Sequence, residues 1–253
     1  DYDELLSWCF AAFEVMGFHD RVLFRTLMVL FRVTPEVKRG QIPLLAAVSL
    51  ALKLSCEVEF WEYDVGRLVS FLSRDQIQFH DVVPCEMIMV ASMQGNLAIP
   101  VALDFVDLLR HKAVHHGCKI RRSCKALAEL LVQMSLLDCK LHFGTPHMIL
   151  AVSCWAIAVF AAQSPAGVCK VMLGAVAASC HSMSALHAEV LGCSRALIGH
   201  ARSTRTTRPQ SSAADRFWLK VEKLEHQRAW TSIPEDFQGF EHWLAEEFCA
   251  TFS

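Results

Sequence analysis

PLLAAVSLALKL, residues 43–54, is apolar on every side of a helix, and its single charge, Lys53, comes near its end. A helix with no polar face must be buried by neighbours all round. HMILAVSCWAI, residues 147–157, has the same character and shares Ala-Val-Ser with it, at 47–49 and 151–153, an offset of 104 residues. A short match between alanine-rich helices is weak evidence of duplication by itself. It gains weight because a basic stretch lies between the two strings. Together they predict two similar helical bundles, each built round one buried helix.

Working outward, helical spacing dominates: Leu5, Trp8, Cys9, Ala12 and then Val22, Leu23, Leu27, Leu30 follow the i, i+3, i+4, i+7 pattern, with no sustained alternation. The fold class is therefore all-α. Breaks at Gly17-Phe18-His19-Asp20, Thr34-Pro35, Lys38-Arg39-Gly40, Ser73-Arg74-Asp75 and from Gly95 to Pro100 mark off five helices before residue 111. RHKAVHHGCKIRRSCK, from Arg110 to Lys125, reads as a solvated basic connection. After it, Ser123 is placed to cap a helix through Met134, Pro146 to open another, and further helices are expected from Val168 and Ser182. ARSTRTTRPQSS, from Ala201 to Ser212, reads as a loop. Beyond Trp218 an acidic tail with Trp230, Phe237, Phe240, Trp243 and Phe248 reads as a separate appendage, either an amphipathic helix from Phe240 to Phe252 that docks on the body or on a partner, or a frayed, solvated terminus.

Composition narrows the function classes. Hydrophobic residues make up 53% of the 253 positions and charged ones 20%, which excludes disorder for most of the chain. A net charge of -2 and a pI near 6.7 supply no global basic field for phosphate backbones, so no direct nucleic-acid partner is expected. The eleven cysteines are odd in number, form no C-x-x-C, and sit in apolar runs, as at Cys9, Cys154 and Cys180; packed, reduced thiols in the nucleus or cytoplasm are the expectation. DYDELL, the opening residues, has neither a start methionine nor a signal-peptide pattern, so the chain is expected to be a fragment. The longest apolar stretch, Met148 to Ala162, has 15 residues, short of the roughly 20 that a membrane span needs, so no membrane partner is expected.

The common nucleotide, zinc and hydrolase motifs are absent, so the chain is expected to be no enzyme and to use no cofactor. His111 and His115 lie four apart with Cys118 nearby, but the stretch is basic and glycine-broken, and an exposed linker is preferred to a metal site. More informative are two charges in apolar surroundings, Lys53 and, in VVPCEMIMVAS, Glu86. Either one buried alone would cost several kcal/mol, so each requires a partner or water. On the residues alone, Lys53 can snorkel from a helix end while Glu86, just after Pro84, complements a helix N-terminus.

The order of these features resembles the cyclin family, nearest the mitotic A/B type, over roughly residues 1 to 218. A tryptophan in helix 1, a lysine near the end of buried helix 3 and a glutamate in helix 5 fall on Trp8, Lys53 and Glu86, and Leu97-Ala98-Ile99-Pro100-Val101 stands where the family has L-x-x-P-T. LAELLVQMSLLD, from Leu127 to Asp138, Thr145-Pro146 with its apolar helix, and SSAADRF, from Ser211 to Phe217, resemble three motifs of the second cyclin box. The resemblance implies two tandem five-helix bundles, with an N-terminal box at 1–110, a basic linker at 111–122, a second box at 123–218 and a tail at 219–253.

It also implies a partner, a cyclin-dependent kinase, and a role as its non-catalytic regulatory subunit in the control of the cell cycle. In that family the residues corresponding to Lys53 and Glu86 bond backbone groups round the start of the kinase C helix. Beside them an apolar pocket, here Leu50, Leu54, Val90 and Leu97, takes a kinase side chain. A carboxylate suits the orphan N–H groups of a helix start and an ammonium suits nearby carbonyls. Holding the C helix inward completes the kinase's own Lys–Glu pair.

Departures accompany the likeness. The family's Arg and Asp that pair between helix 1 and helix 2 are replaced by Tyr2 and Phe31, and an apolar contact between these two is the expected substitute. Of the patch that docks Arg-x-Leu peptides of substrates or inhibitors, only Leu5 and Trp8 keep their character, and Pro43 stands for a docking glutamine, so conventional docking is not expected. Ser55 and Cys56 replace the usual acidic residues after the lysine, with Glu57 and Glu59 displaced. Two other classes remain: a cyclin-fold transcription factor or pocket-type interaction protein, for which the basic stretches at Arg110 to Lys125 and Arg195 to Arg208 leave room, and a small helical membrane protein.

Overall fold

A computed structural model describes residues 2–33, 40–55, 62–163, 167–178, 182–206, 212–222 and 230–252. Among them it forms thirteen helices and no strand. The chain divides into two compact units, Cys9–Val101 and a larger one made of the first eight residues with Ala102–Ser253.

The smaller unit holds the latter part of α1 (Tyr2–Met16) with α2 (Asp20–Arg32), α3 (Gln41–Ser55), α4 (Glu62–Ser73) and α5 (Phe79–Ser92). α1 ends at Gly17, whose φ of +65° suits a residue without Cβ, and Phe18 N–H reaches back to the Phe13 carbonyl. α3 is the buried centre, packed against α2, α4 and α5. Ala46, Ala47 and Ala51 are fully buried, and their small side chains let neighbouring helices approach closely. Asp81, one turn into α5, accepts the Gln78 N–H at 3.0 Å and so satisfies one donor at that helix start. At the other end of α5 the chain turns through Gln94 and Gly95, with φ of +54° and +71°, and Gly95 N–H returns to the Val90 carbonyl.

In the larger unit, α6 (Ala102–His115), α7 (Arg122–Ser135), α10 (Val168–Ala177) and α11 (Met183–Thr206) surround α9 (His147–Ala161). Trp155, at the centre of α9, is fully buried, and its indole N–H donates to the Val106 carbonyl at 2.9 Å. Both helices read as apolar all round, α3 and α9, are thus the cores of their units. Between α7 and α9 lies α8 (Cys139–Gly144), a short helix not foreseen from sequence. Asp138 caps it by accepting the Lys140 and Leu141 N–H groups.

Several sequence expectations are corrected. Arg110 to His115 is not a solvated connection: it continues α6, whose Leu103, Val106, Leu109 and Ala113 form a buried stripe. The divide between units falls at Val101/Ala102 rather than across residues 111–122, and a short segment from His116 to Arg121 joins α6 to α7. Ser123 does not cap α7; the N-cap is Arg121, with no side-chain cap bond. Residues 201–206 are the end of α11 and not a loop. The tail is no separate appendage: the helix expected over Phe240 to Phe252 forms as α13 (Phe237–Phe252) and packs on α9, α10 and α11 with Phe240 and Leu244 fully buried, after α12 (Ser212–Val221) in the same unit. The breaks at Thr34-Pro35 and Lys38-Arg39, and Cys56, Glu57, Glu59 and Cys180, lie outside the described residues.

Candidate protein-binding site

Lys53 stands in the last turn of α3, and Glu86 stands on α5, the neighbouring helix of the same unit. Their side chains meet, Lys53 Nζ donating to Glu86 Oε2 at 2.6 Å. The pair is asymmetric: the glutamate side chain is 9% exposed and the lysine 38%. Lys53 therefore lies over the carboxylate like a lid, and its ammonium also sits 5.2 Å above the ring of Phe79, the first residue of α5. Glu86 Oε1 is buried and accepts no hydrogen bond among the described residues. A buried carboxylate with one satisfied oxygen has unused capacity for an N–H donor, and leaving it unused costs free energy. Neither independent role read from sequence, snorkelling for Lys53 and helix-start complementation for Glu86, is the main one, because the two residues satisfy each other.

The apolar residues assigned to the adjoining pocket divide into two kinds. Leu50 is only 6% exposed and serves the core of the unit. Leu54, one turn along α3, Val90, one turn beyond Glu86 on α5, and Leu97, past the end of α5, are half-buried and present partial surfaces. Sequence reasoning missed the outer face of α5, where Met87 is 68% and Ile88 53% exposed, flanked by exposed Pro84 and Ala91. The signal was present: VVPCEMIMVAS has no polar side, and a helix of that kind held at the edge of a small bundle must leave part of its apolar surface uncovered. A cleft of about 480 Å³ opens between α4 and α5, with Phe79 and the 60% exposed Phe71 among its walls.

A second missed residue is Arg25 of α2. Its Nη1 donates to the Leu54 carbonyl at 3.2 Å and to Ser55 Oγ at 2.9 Å, and the Ser55 hydroxyl donates on to the Ala51 carbonyl at 2.7 Å. This arrangement gives the Leu54 carbonyl, one of the last of α3, a donor from another helix.

The remaining candidates divide between the two units. Leu5 and Trp8 are half-buried on the first turns of α1, in the segment that belongs to the larger unit, and Pro43 is buried in the first turn of α3. The Tyr2 hydroxyl donates to the Leu136 carbonyl at 2.8 Å and its ring meets Phe143 edge-on, all within the larger unit; Phe31, in the smaller unit, is 42% exposed. His111 and His115 lie on the last turns of α6 with Cys118 beyond Gly117, and no group of three metal-ligating side chains occurs among the described residues. Nor is any helix there long and apolar enough to cross a membrane. Cys154 and Cys169 are fully enclosed, and burial pushes both thiols well above their usual range, which suits packing and not nucleophilic chemistry.

No family model matches the chain. It is 22% identical over 151 residues to Cyclin-B2-1 of Arabidopsis thaliana, a stretch that takes in 59% of this chain and 34% of the relative. The chain thus spans about a third of the length of the curated relative it matches. Among solved structures, a chain of the CAK complex from Chaetomium thermophilum, bound to ATP-gamma-S, superposes with a TM-score of 0.54 at 12% identity, over 97% of this chain and 77% of that one. At that identity the likeness is one of fold. With the buried central helices α3 and α9, these likenesses give the chain an all-helical, cyclin-like fold.

Proposed function

We propose that the chain is the non-catalytic regulatory subunit of a cyclin-dependent kinase, holding the kinase C helix in its active position, and that it serves in cell-cycle control in the nucleus or cytoplasm. The observation that supports this reading most is the Lys53–Glu86 pair, with a buried, unsatisfied carboxylate oxygen beside an exposed apolar helix face. A helix start offers up to four N–H groups without intrahelical partners, and a carboxylate is the acceptor that suits them. In the free chain Lys53 covers that carboxylate. Binding has Lys53 swing outward to carbonyl groups of the kinase, so that Glu86 exchanges one ammonium for helix N–H donors. The apolar surfaces of Leu54, Val90 and Leu97, continued by Met87 and Ile88, then fix the rotation of the docked helix. Each polar group lost from one partner is regained on the other, so the ion pair is exchanged and not simply broken.

The test is the double variant Lys53→Ala, Glu86→Ala, with helicity checked by circular dichroism. Affinity for a purified cyclin-dependent kinase is expected to fall by roughly a hundredfold, the scale for truncating buried, hydrogen-bonded charges at an interface. Undiminished affinity in a folded double variant rejects this interface.

A further inference from the structure

We infer that Arg25 is a positioning residue for this interface: by taking the Leu54 carbonyl at the C-terminal end of α3, it directs the Lys53 ammonium across to Glu86 in the free chain and leaves it available to the partner in the complex. The inference rests on the kinase-binding reading for its second half and on the free chain alone for its first. The last carbonyls of a helix lack intrahelical donors and lie at the negative end of the peptide dipoles, so a lysine in the final turn can fold back on them. Lys53 is such a lysine. Arg25 comes from another helix and takes that position, one nitrogen serving both the Leu54 carbonyl and Ser55 Oγ. Ser55 in turn satisfies the Ala51 carbonyl one turn back. The guanidinium, held by the Leu54 carbonyl and Ser55 Oγ, outcompetes a single flexible ammonium for that carbonyl. Lys53 is thereby directed away from its own helix end and across to α5.

Ser55 is part of the device. It stands where the resembling family carries an acidic residue, and its hydroxyl accepts from Arg25 while donating to α3, which a carboxylate cannot do. The replacement that set this chain apart from its family in sequence thus has a structural counterpart in Arg25.

The test uses Arg25→Met and Arg25→Lys in the full chain, alone and combined with Lys53→Ala. In the free protein, exchange of the Lys53 ammonium protons with water, read by NMR, is expected to be slow in the wild type, several times faster in Arg25→Met, and near the wild-type rate in Arg25→Lys, which keeps a cation at the helix end. Affinity for a purified kinase is expected to fall about tenfold in Arg25→Met, and that loss is expected to shrink below about twofold when Lys53 is already alanine. Unchanged ammonium exchange in both Arg25 variants overturns the inference whatever the kinase does. A loss of affinity that persists undiminished in the Lys53→Ala background overturns it too, since Arg25 would then act by another route. If the wild-type chain binds no kinase, the proposed function fails while the ammonium measurement still decides the role of Arg25.

Discussion

Glu86 Oε2 and Lys53 Nζ, 2.6 Å apart, set the energetics at the residue scale. Lys53→Met removes the cation and leaves a carboxylate that is 91% buried; because the lysine is partly exposed and water can reach its place, the loss of stability is expected to be only about 1 kcal/mol in urea denaturation. Adding Glu86→Leu to that variant is expected to recover most of it, since an apolar pair leaves no charge buried alone. Two independent losses that simply add would contradict this coupling. A second residue gives the larger unit a pH dependence. His142 is fully enclosed, and burial, reinforced by the nearby His147, lowers its pKa to about 3. Its Nδ1 lies 2.7 Å from Ser135 Oγ, whose own proton goes to the Val132 carbonyl at 2.6 Å, so Nδ1 carries the hydrogen and the ring is held neutral. A depressed folded value means that this contribution is complete above about 6.5, the ordinary histidine value, and is lost as pH falls from there towards about 3. Unfolding free energy is expected to drop along that window by up to about 1.4 kcal/mol per pH unit, and His142→Gln, which keeps a hydrogen-bonding group against Ser135, is expected to flatten the slope.

At the scale of helices, the outer face of α5 is the element that distinguishes folding from binding. Met87→Glu and Ile88→Lys change side chains that are largely exposed, so unfolding free energy is expected to change by no more than ordinary surface substitutions do, about 0.5 kcal/mol, while kinase affinity falls. Variants that melt early would show instead that this face packs within the molecule. The two central helices were legible in sequence because α3 and α9 need no partner to be recognised: an apolar surface all round can only be buried. The site was legible as far as single charges in apolar runs can show it, at Lys53 and Glu86. Their mutual pairing was not, because it depends on how α3 and α5 lie side by side. α6 was misread at its end, since His111, Lys112, His115 and His116 hid the stripe that continues to Ala113. Arg25 was invisible for a related reason: an arginine in an amphipathic helix looks solvated until the end of another helix is placed against it.

Across the whole molecule, the tail carries the clearest consequence for stability. Phe240 of α13 meets Phe160 of α9 edge-on and is fully buried, and Leu244 and Phe248 continue the same face. Phe240→Ala is expected to cost 3 to 5 kcal/mol, roughly the range for emptying an aromatic site in a packed core, and to lower the melting temperature of the larger unit. A silent substitution would restore the tail to the status of an appendage. The distribution of roles between the units is the central claim: the Cys9–Val101 unit carries the binding pair, while the larger unit is built round a buried core of its own. The measurement that tests this most directly is the phosphorylation rate of a panel of purified cyclin-dependent kinases, each assayed alone, with the wild-type chain, and with the folded Lys53→Ala, Glu86→Ala chain. The expected result is that at least one kinase is activated by the wild-type chain and remains at its basal rate with the double variant. Basal rates throughout the panel, or equal activation by both chains, would contradict the account.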